Sequence, residues 1–93
     1  MSEAVAADVP LETEANKLAS YYSKLAEEKA VSPKLKEACL LYVEAEEQLE
    51  EQLVEEAIAK ATKALEAFRE AKNGFGQQDA VRLLCAGERA LLL

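Results

Sequence analysis

In the second half of the chain, apolar residues recur every three or four positions. The positions with this spacing are Ala57, Ile58, Ala61, Ala64, Leu65 and Phe68. Because residues three and four apart share one face of an α-helix, the spacing predicts a helix with a single apolar stripe. Alanine supplies most of the stripe, so two helix backbones can approach closely while the ring of Phe68 fills the remaining gap. The segment is therefore expected to pack tightly against a neighbouring helix.

A second stripe lies near the start of the chain and predicts a first helix from residue 11 to about residue 30. Its positions are Leu11, Ala15, Leu18, Tyr22, Leu25 and Ala26. The preceding residues 1–10 are small and acidic, and we expect them to form a frayed leader. Ser32 before Pro33 combines a favourable N-cap with the residue preferred at the first helical position. A second helix is therefore expected to begin at Pro33.

From Pro33 to Asn73 no glycine or proline interrupts the helical pattern. A helix of about forty residues is unusual in a small domain. The apolar stripe also changes phase near Gln52, after a run at Leu41, Ala45, Leu49 and Leu53. We therefore predict a break near Gln52. The alternative is one long helix over residues 33–73 that dimerises by coiled-coil contact.

The last helix is predicted to follow a turn that begins at Asn73. Gly74 is expected to end the preceding helix in the left-handed conformation. Asp79 is a plausible N-cap for the final helix, which is expected to run to the end of the chain. An isolated glycine inside a helix usually costs stability, so Gly87 predicts a close approach between two helices.

Composition agrees with an all-α fold of three to four helices in one domain, residues 11–93. A chain of 93 residues with three glycines and two prolines offers little turn punctuation for a many-stranded β fold. Only five residues are aromatic, and alanine carries much of the apolar content. An alanine-rich core buries little area per residue, at about 25 cal/mol per Å². The domain is therefore expected to be marginally stable alone and to depend on a partner.

Residues 52–93 resemble a tetratricopeptide repeat, specifically the variant with a long turn between repeats. The second helix of such a repeat typically reads A-x-x-x-A-x-x-A-L-x-x-F-R-E. Its counterparts here are Ala57, Ala61, Ala64, Leu65, Phe68, Arg69 and Glu70. The first helix of the next repeat is matched by Leu83, Ala86, Gly87 and Ala90. The resemblance implies antiparallel helical hairpins, with Gly87 where two helices come closest. Gln52 and Leu53 depart from the Gly and Asp that are usual before the second helix.

The same resemblance implies a binding surface on the last helix, where tetratricopeptide repeats line a concave groove. The implied groove residues are Val81, Leu84, Glu88, Leu91 and Leu92. This set lacks the Lys, Asn and Arg residues that hold a peptide carboxylate, so we expect a helix or a hydrophobic segment as the partner. In the alternative, these leucines complete the chain's own core by packing on the first helix.

The charge of the chain argues against nucleic-acid binding. Its formal net charge is −7, whereas a phosphate backbone requires a basic surface. Between Glu37 and Ala59 there are eight glutamates and no Lys or Arg. This stretch is either an acidic surface for a basic partner or a solvated helix face.

Residue types for catalysis are largely missing, since the chain has no histidine. Cys39 and Cys85 lie in apolar helical patterns without a neighbouring base, and we expect both to be free, buried thiols. The Gly74-Phe75-Gly76 segment lacks the lysine and the preceding strand of a phosphate loop. We therefore predict no catalytic, cofactor or metal site, no small-molecule substrate and no enzymatic activity.

Targeting and membrane signals are also absent from the sequence. The acidic opening has no secretory h-region, and no apolar run approaches the roughly 18 residues of a membrane span. We expect no membrane insertion, and free thiols indicate a reducing compartment such as the cytoplasm; an organelle interior is the alternative. The sequence thus predicts a soluble adaptor or small structural subunit that binds a protein partner or a second copy of itself. The rival is a self-associating helical bundle or coiled-coil dimer.

Overall fold

The computed structural model describes the backbone of residues 14–92 and the side chains of residues 19–92. Over these residues the chain forms four helices and no strand, so the predicted all-α class is confirmed. The helices are α1 (Glu14–Ala26), α2 (Pro33–Glu50), α3 (Val54–Glu70) and α4 (Gly74–Leu91). The predicted leader, residue Leu11, the side chains of Ala15 and Leu18, and Leu93 lie outside the described residues.

Helix α1 ends at Ala26, earlier than the predicted end near residue 30. The reason is burial, because the four residues that follow are all exposed and offer no apolar stripe to pack. The start of α2 is confirmed at Pro33. The Leu35 N–H donates to the Ser32 side-chain oxygen at 3.2 Å, which satisfies one of the free donors at the helix start.

The predicted break near Gln52 is confirmed, and the rival of one helix over residues 33–73 is wrong. Gln52 takes a left-handed φ of 67° and the chain reverses there. Two hydrogen bonds close the turn: Leu53 N–H to the Gln48 carbonyl at 2.8 Å and Gln52 N–H to the Leu49 carbonyl at 3.0 Å. This pair of bonds forms a Schellman motif, which satisfies the last carbonyls of α2.

The turn between α3 and α4 repeats this geometry, with Lys72 at a φ of 59°. Its closing bonds run from Asn73 N–H to the Phe68 carbonyl at 2.9 Å and from Lys72 N–H to the Arg69 carbonyl at 3.0 Å. The predictions that Gly74 is left-handed and that Asp79 caps the last helix are wrong. Asn73 is the cap, because its side-chain oxygen accepts the Gly76 N–H at 2.7 Å. The turn is therefore short, and the long turn implied by the tetratricopeptide variant is not observed.

Each helix packs on its neighbour along the chain, and α2 also makes a narrow contact with α4. Three fully buried rings, those of Tyr22, Tyr42 and Phe68, lie at the centre of the core. Alanines surround them. The buried ones in α2, α3 and α4 are Ala38, Ala45, Ala57, Ala61, Ala64, Ala67 and Ala80. The small residues let the helices approach closely, while the rings supply most of the core volume.

The stripe predicted for α3 is confirmed, since its alanines and Phe68 are buried and Ile58 and Leu65 are half-buried. The stripe predicted for α2 has the wrong phase. Leu41 is only half-buried and Leu53 is exposed, whereas Tyr42 and its neighbours carry the burial. The buried residues of α2 are Ala38, Cys39, Tyr42, Ala45 and Glu46. Helix α2 packs against both α1 and α3, so its buried face is centred between two neighbours.

Gly87 is buried in α4 and lies against Ile58 of α3, as expected for a close approach. A Cβ at this position would lie 2.8 Å from Ile58 Cγ1. We expect Gly87→Leu to lower the free energy of unfolding by about 1–3 kcal/mol through overpacking. Urea denaturation followed by circular dichroism would measure this loss. An unchanged or raised melting temperature would contradict the close approach, and Ile58→Ala in the same background should relieve part of the cost.

Among the helices of residues 14–92, none combines the length and the apolarity needed to cross a bilayer.

Candidate functional site

The residues predicted to bind a partner divide between the surface and the core of the structure. Val81, Leu91 and Leu92 are exposed over 46%, 53% and 86% of their surface. Glu88 is exposed as well. Leu84 is half-buried and packs against the core, so it serves the fold in part. Positions 81, 84, 88 and 91 are three or four residues apart, which places them along one side of α4.

The alternative, in which these leucines complete the core against the first helix, holds only in part. Leu83 is buried and Leu84 packs on the core cluster. Val81, Leu91 and Leu92 stay in solvent. The described contact between α1 and α4 is made by other residues, namely Tyr22 and Asp79. The exposed side of α4 is therefore an apolar strip with one acidic residue, and nothing in residues 19–92 covers it.

Two further exposed apolar side chains lie elsewhere and were missed by the sequence patterns. Phe75 is exposed over 81% of its surface in the first turn of α4, a segment that was expected to be a turn. Leu40 is half exposed on α2. It lies in a shallow groove with Pro33, Lys36, Glu37, Leu41 and Glu44. Leu40 was overlooked because the predicted stripe of α2 had the wrong phase.

A buried polar cluster joins three helices at the centre of the fold. The Tyr22 hydroxyl of α1 donates to the Asp79 carboxylate of α4 at 2.5 Å. The Tyr42 hydroxyl donates to the Glu46 carboxylate, one turn further along α2, at 2.7 Å. The two tyrosine rings lie against each other, with centroids 4.7 Å apart. The cluster is thus a pair of phenol–carboxylate hydrogen bonds stacked through their rings.

Phe68 and Arg82 complete this cluster. The ring centroid of Phe68 lies 5.3 Å from that of Tyr22. The Arg82 guanidinium lies 3.4 Å from Asp79, on the solvent side of α4. Sequence reasoning missed the cluster because Asp79 was assigned to a helix cap. The spacing of Tyr42 and Glu46 was the available signal, since residues four apart are neighbours on a helix.

Burial raises the pKa of the Glu46 carboxyl above its usual range. The hydrogen bond from Tyr42 acts in the opposite direction, the carboxylates of Glu50 and Asp79 raise the pKa further, and Arg82 lowers it. Burial also raises the pKa of the Tyr22 and Tyr42 hydroxyls, and their bonds to carboxylates add to this effect. Both phenols therefore stay protonated and act as hydrogen-bond donors at physiological pH.

The two cysteines have different environments, and the prediction of two buried thiols is wrong for one of them. Both are free; Cys39 is fully buried and Cys85 is exposed. Burial raises the pKa of the Cys39 thiol to about 11, so it behaves as a small apolar side chain. Helix α4 has its buried face along Gly76, Ala80, Leu83 and Gly87, which leaves Cys85 on the outside. Residues 14–92 contain no group of His, Cys, Asp or Glu that could hold a metal ion.

The glutamate-rich stretch does not form one uniform acidic surface. Glu46 is buried in the core. Glu44 forms a 2.8 Å ion pair with Lys60 of α3. The other members are exposed on α2 and on the first turn of α3. Glu55 and Glu56 also lie at the start of α3, where acidic side chains favour the helix dipole. Most of this stretch is thus accounted for by helix structure and solvation.

Comparison with known proteins returned no match, whether to a family model, to a curated protein or to a solved structure.

Proposed function

We propose that this chain is a non-catalytic protein-interaction module, an adaptor or a small structural subunit of a larger complex. The observation that carries the proposal is the apolar strip of α4, in which Val81, Leu91 and Leu92 are exposed beside half-buried Leu84. Adjacent exposed apolar side chains on a helix mark interaction sites, because water-exposed apolar area is unfavourable. A partner helix or hydrophobic segment would bury this area.

A tetratricopeptide-like arrangement of α3 and α4 is the framework we propose for this surface. Three features support it. The alanines and Phe68 of α3 are buried in the order that the resemblance implies. Gly87 lies against Ile58 at the expected close approach. The strip lies on a side of α4 away from the contact with α1. The short turn at residues 71–73 departs from the long-turn variant, so the proposal concerns the helix packing and not the turn.

The strip is shaped for an amphipathic helix of low net charge. It contains one carboxylate, Glu88, and Arg89 lies next to it along the helix. A peptide carboxylate would find no clamp of basic side chains along Val81, Leu84, Glu88 and Leu91. Binding through apolar contacts at positions one turn apart is the usual mode of a helix in a groove. We infer that the partner presents a matching apolar stripe, either on another protein or on a second copy of this chain.

The test is a triple variant in which Val81, Leu91 and Leu92 are each replaced by serine. All three side chains are exposed, so we expect helicity and melting temperature to change little, because surface substitutions usually shift stability by about 0.5 kcal/mol or less. Association should be lost. Sedimentation at low micromolar concentration measures self-association, and a pull-down from native extract measures binding to another protein.

Two control variants separate binding from folding. Phe75→Ser removes an equally exposed apolar side chain from another side of α4, and association should persist. Leu84→Ser removes a core contact and should lower the melting temperature. If the wild-type chain is a strict monomer that captures no partner, or if the triple variant retains its partner, the strip is not the interface. A dimer that is lost in the triple variant would identify the second copy as the partner.

A further inference from the structure

Helix α1 is attached to the rest of the domain more loosely than the other helices are to one another. Over the described residues its backbone approaches only α2, whereas α2, α3 and α4 all contact one another. Of the described side chains of α1, Tyr22 alone forms a hydrogen bond to another helix. Removing α1 would therefore leave a mutually packed three-helix unit, at the cost of uncovering the site of Tyr22.

The connection after α1 can serve as a hinge. Residues 27–30 are all exposed, and their backbone is held by local bonds such as Glu27 N–H to the Lys24 carbonyl. Such bonds involve no other helix, so they survive or reform when α1 moves. Segments with few buried contacts and exposed backbone bonds open at lower free energy than the whole domain.

We propose that α1 is a hinged lid over the Tyr42–Glu46 pair, held closed by the Tyr22–Asp79 hydrogen bond and released by ionisation of Glu46. The closed position is well defined, since Tyr22 is fully buried against Tyr42 and Phe68. Opening removes the ring that covers Tyr42 and admits water to Glu46. A buried carboxylate gains most from this water when it is charged.

The surroundings of Glu46 determine the direction of the switch. Tyr22 of α1 and Phe68 of α3 are uncharged walls of the cluster. Helix α2 contributes Glu50 and the donor Tyr42, and α4 contributes Asp79 and Arg82. Burial and the two carboxylates outweigh Tyr42 and Arg82, so closure raises the pKa of the Glu46 carboxyl. The closed form then binds the proton more tightly, which makes closure more stable below the raised pKa and less stable as pH rises through it.

Cys39 provides a direct probe of the lid. It is fully buried on α2 and lies close enough to Tyr22 to influence its charge state. In a Cys85→Ser background it is the one remaining thiol, so its rate of reaction with a maleimide reports opening of α1. Dividing that rate by the rate of the unfolded chain at the same pH removes the titration of the thiol itself. Amide exchange of α3 and α4 reports global unfolding in parallel.

Three results are expected. Tyr22→Phe removes only the hydroxyl and should speed Cys39 labelling by about 10- to 100-fold, the value of a hydrogen bond to a charged group. Tyr21→Phe, at the exposed neighbouring tyrosine, should have no effect. In the parent protein the corrected rate should rise with pH, by about tenfold for each pKa unit by which closure raises Glu46, and Glu46→Gln should slow labelling at high pH and abolish this rise.

Two results would overturn the proposal. If Tyr22→Phe speeds amide exchange of α3 and α4 as much as Cys39 labelling, α1 leaves only when the whole domain unfolds. If the corrected labelling rate of the parent is independent of pH, or if Glu46→Gln leaves the pH dependence intact, Glu46 does not control the lid. Circular dichroism of each variant verifies that it is folded, and a variant that does not fold also counts against a lid that opens by itself.

Discussion

Replacing Phe68 by alanine is expected to lower the free energy of unfolding by about 3–5 kcal/mol, the usual cost of a buried phenylalanine. Phe68 is fully buried, its ring lies against those of Tyr22 and Tyr42, and a glycine of α4 packs on its face. Alanine would leave a cavity where four helices meet. Since small domains are stable by only about 5–15 kcal/mol, most of the stability is at stake.

Urea denaturation followed by circular dichroism measures this change, and the chain contains its own control. Phe75→Ala removes the same side chain from a site that is 81% exposed, where the expected change is about 0.5 kcal/mol or less. Equal effects of the two substitutions would mean that Phe68 does not occupy the centre of the core.

Gly76→Leu is expected to cost about 3 kcal/mol or more, at the upper end of overpacking. A Cβ at Gly76 would overlap three atoms of the Phe68 ring, and that ring is itself confined by Tyr22 and Tyr42. The ring therefore cannot move aside without displacing the aromatic cluster. The helix preference for leucine over glycine, about 1 kcal/mol, acts against this cost without cancelling it.

Gly74→Leu is the matched control, because a Cβ at Gly74 meets nothing within 4 Å. Thermal melts of the two variants should separate a tolerated substitution from a strongly destabilising one two positions away. In the double variant Phe68→Ala with Gly76→Leu, the new side chain can occupy the vacated space. The two losses should then sum to more than the loss in the double variant. Strict additivity would show that Gly76 and Phe68 do not share one packing site.

The predicted binding surface illustrates how far periodicity reaches. The spacing of Val81, Glu88 and Leu91 placed them on one side of a helix, and the structure leaves all three exposed. The same spacing could not show that Leu84 turns partly into the core, because that depends on where α3 lies. The buried pair of Tyr22 and Asp79 was out of reach for the same reason, since these residues are distant in sequence and meet only through the packing of α1 over α2.

The sequence by itself determined the all-helical class, the start of α2 at Ser32-Pro33, the break near Gln52 and the buried stripe of α3. Each of these follows from interactions within a few residues, such as a cap or a repeat of apolar positions on one helix. Only the tertiary structure decided the buried face of α2, the start of α4 at Gly74 and the contact of Gly76 with Phe68. Those features depend on neighbouring helices, because a ring or a close backbone selects which side of a helix is buried.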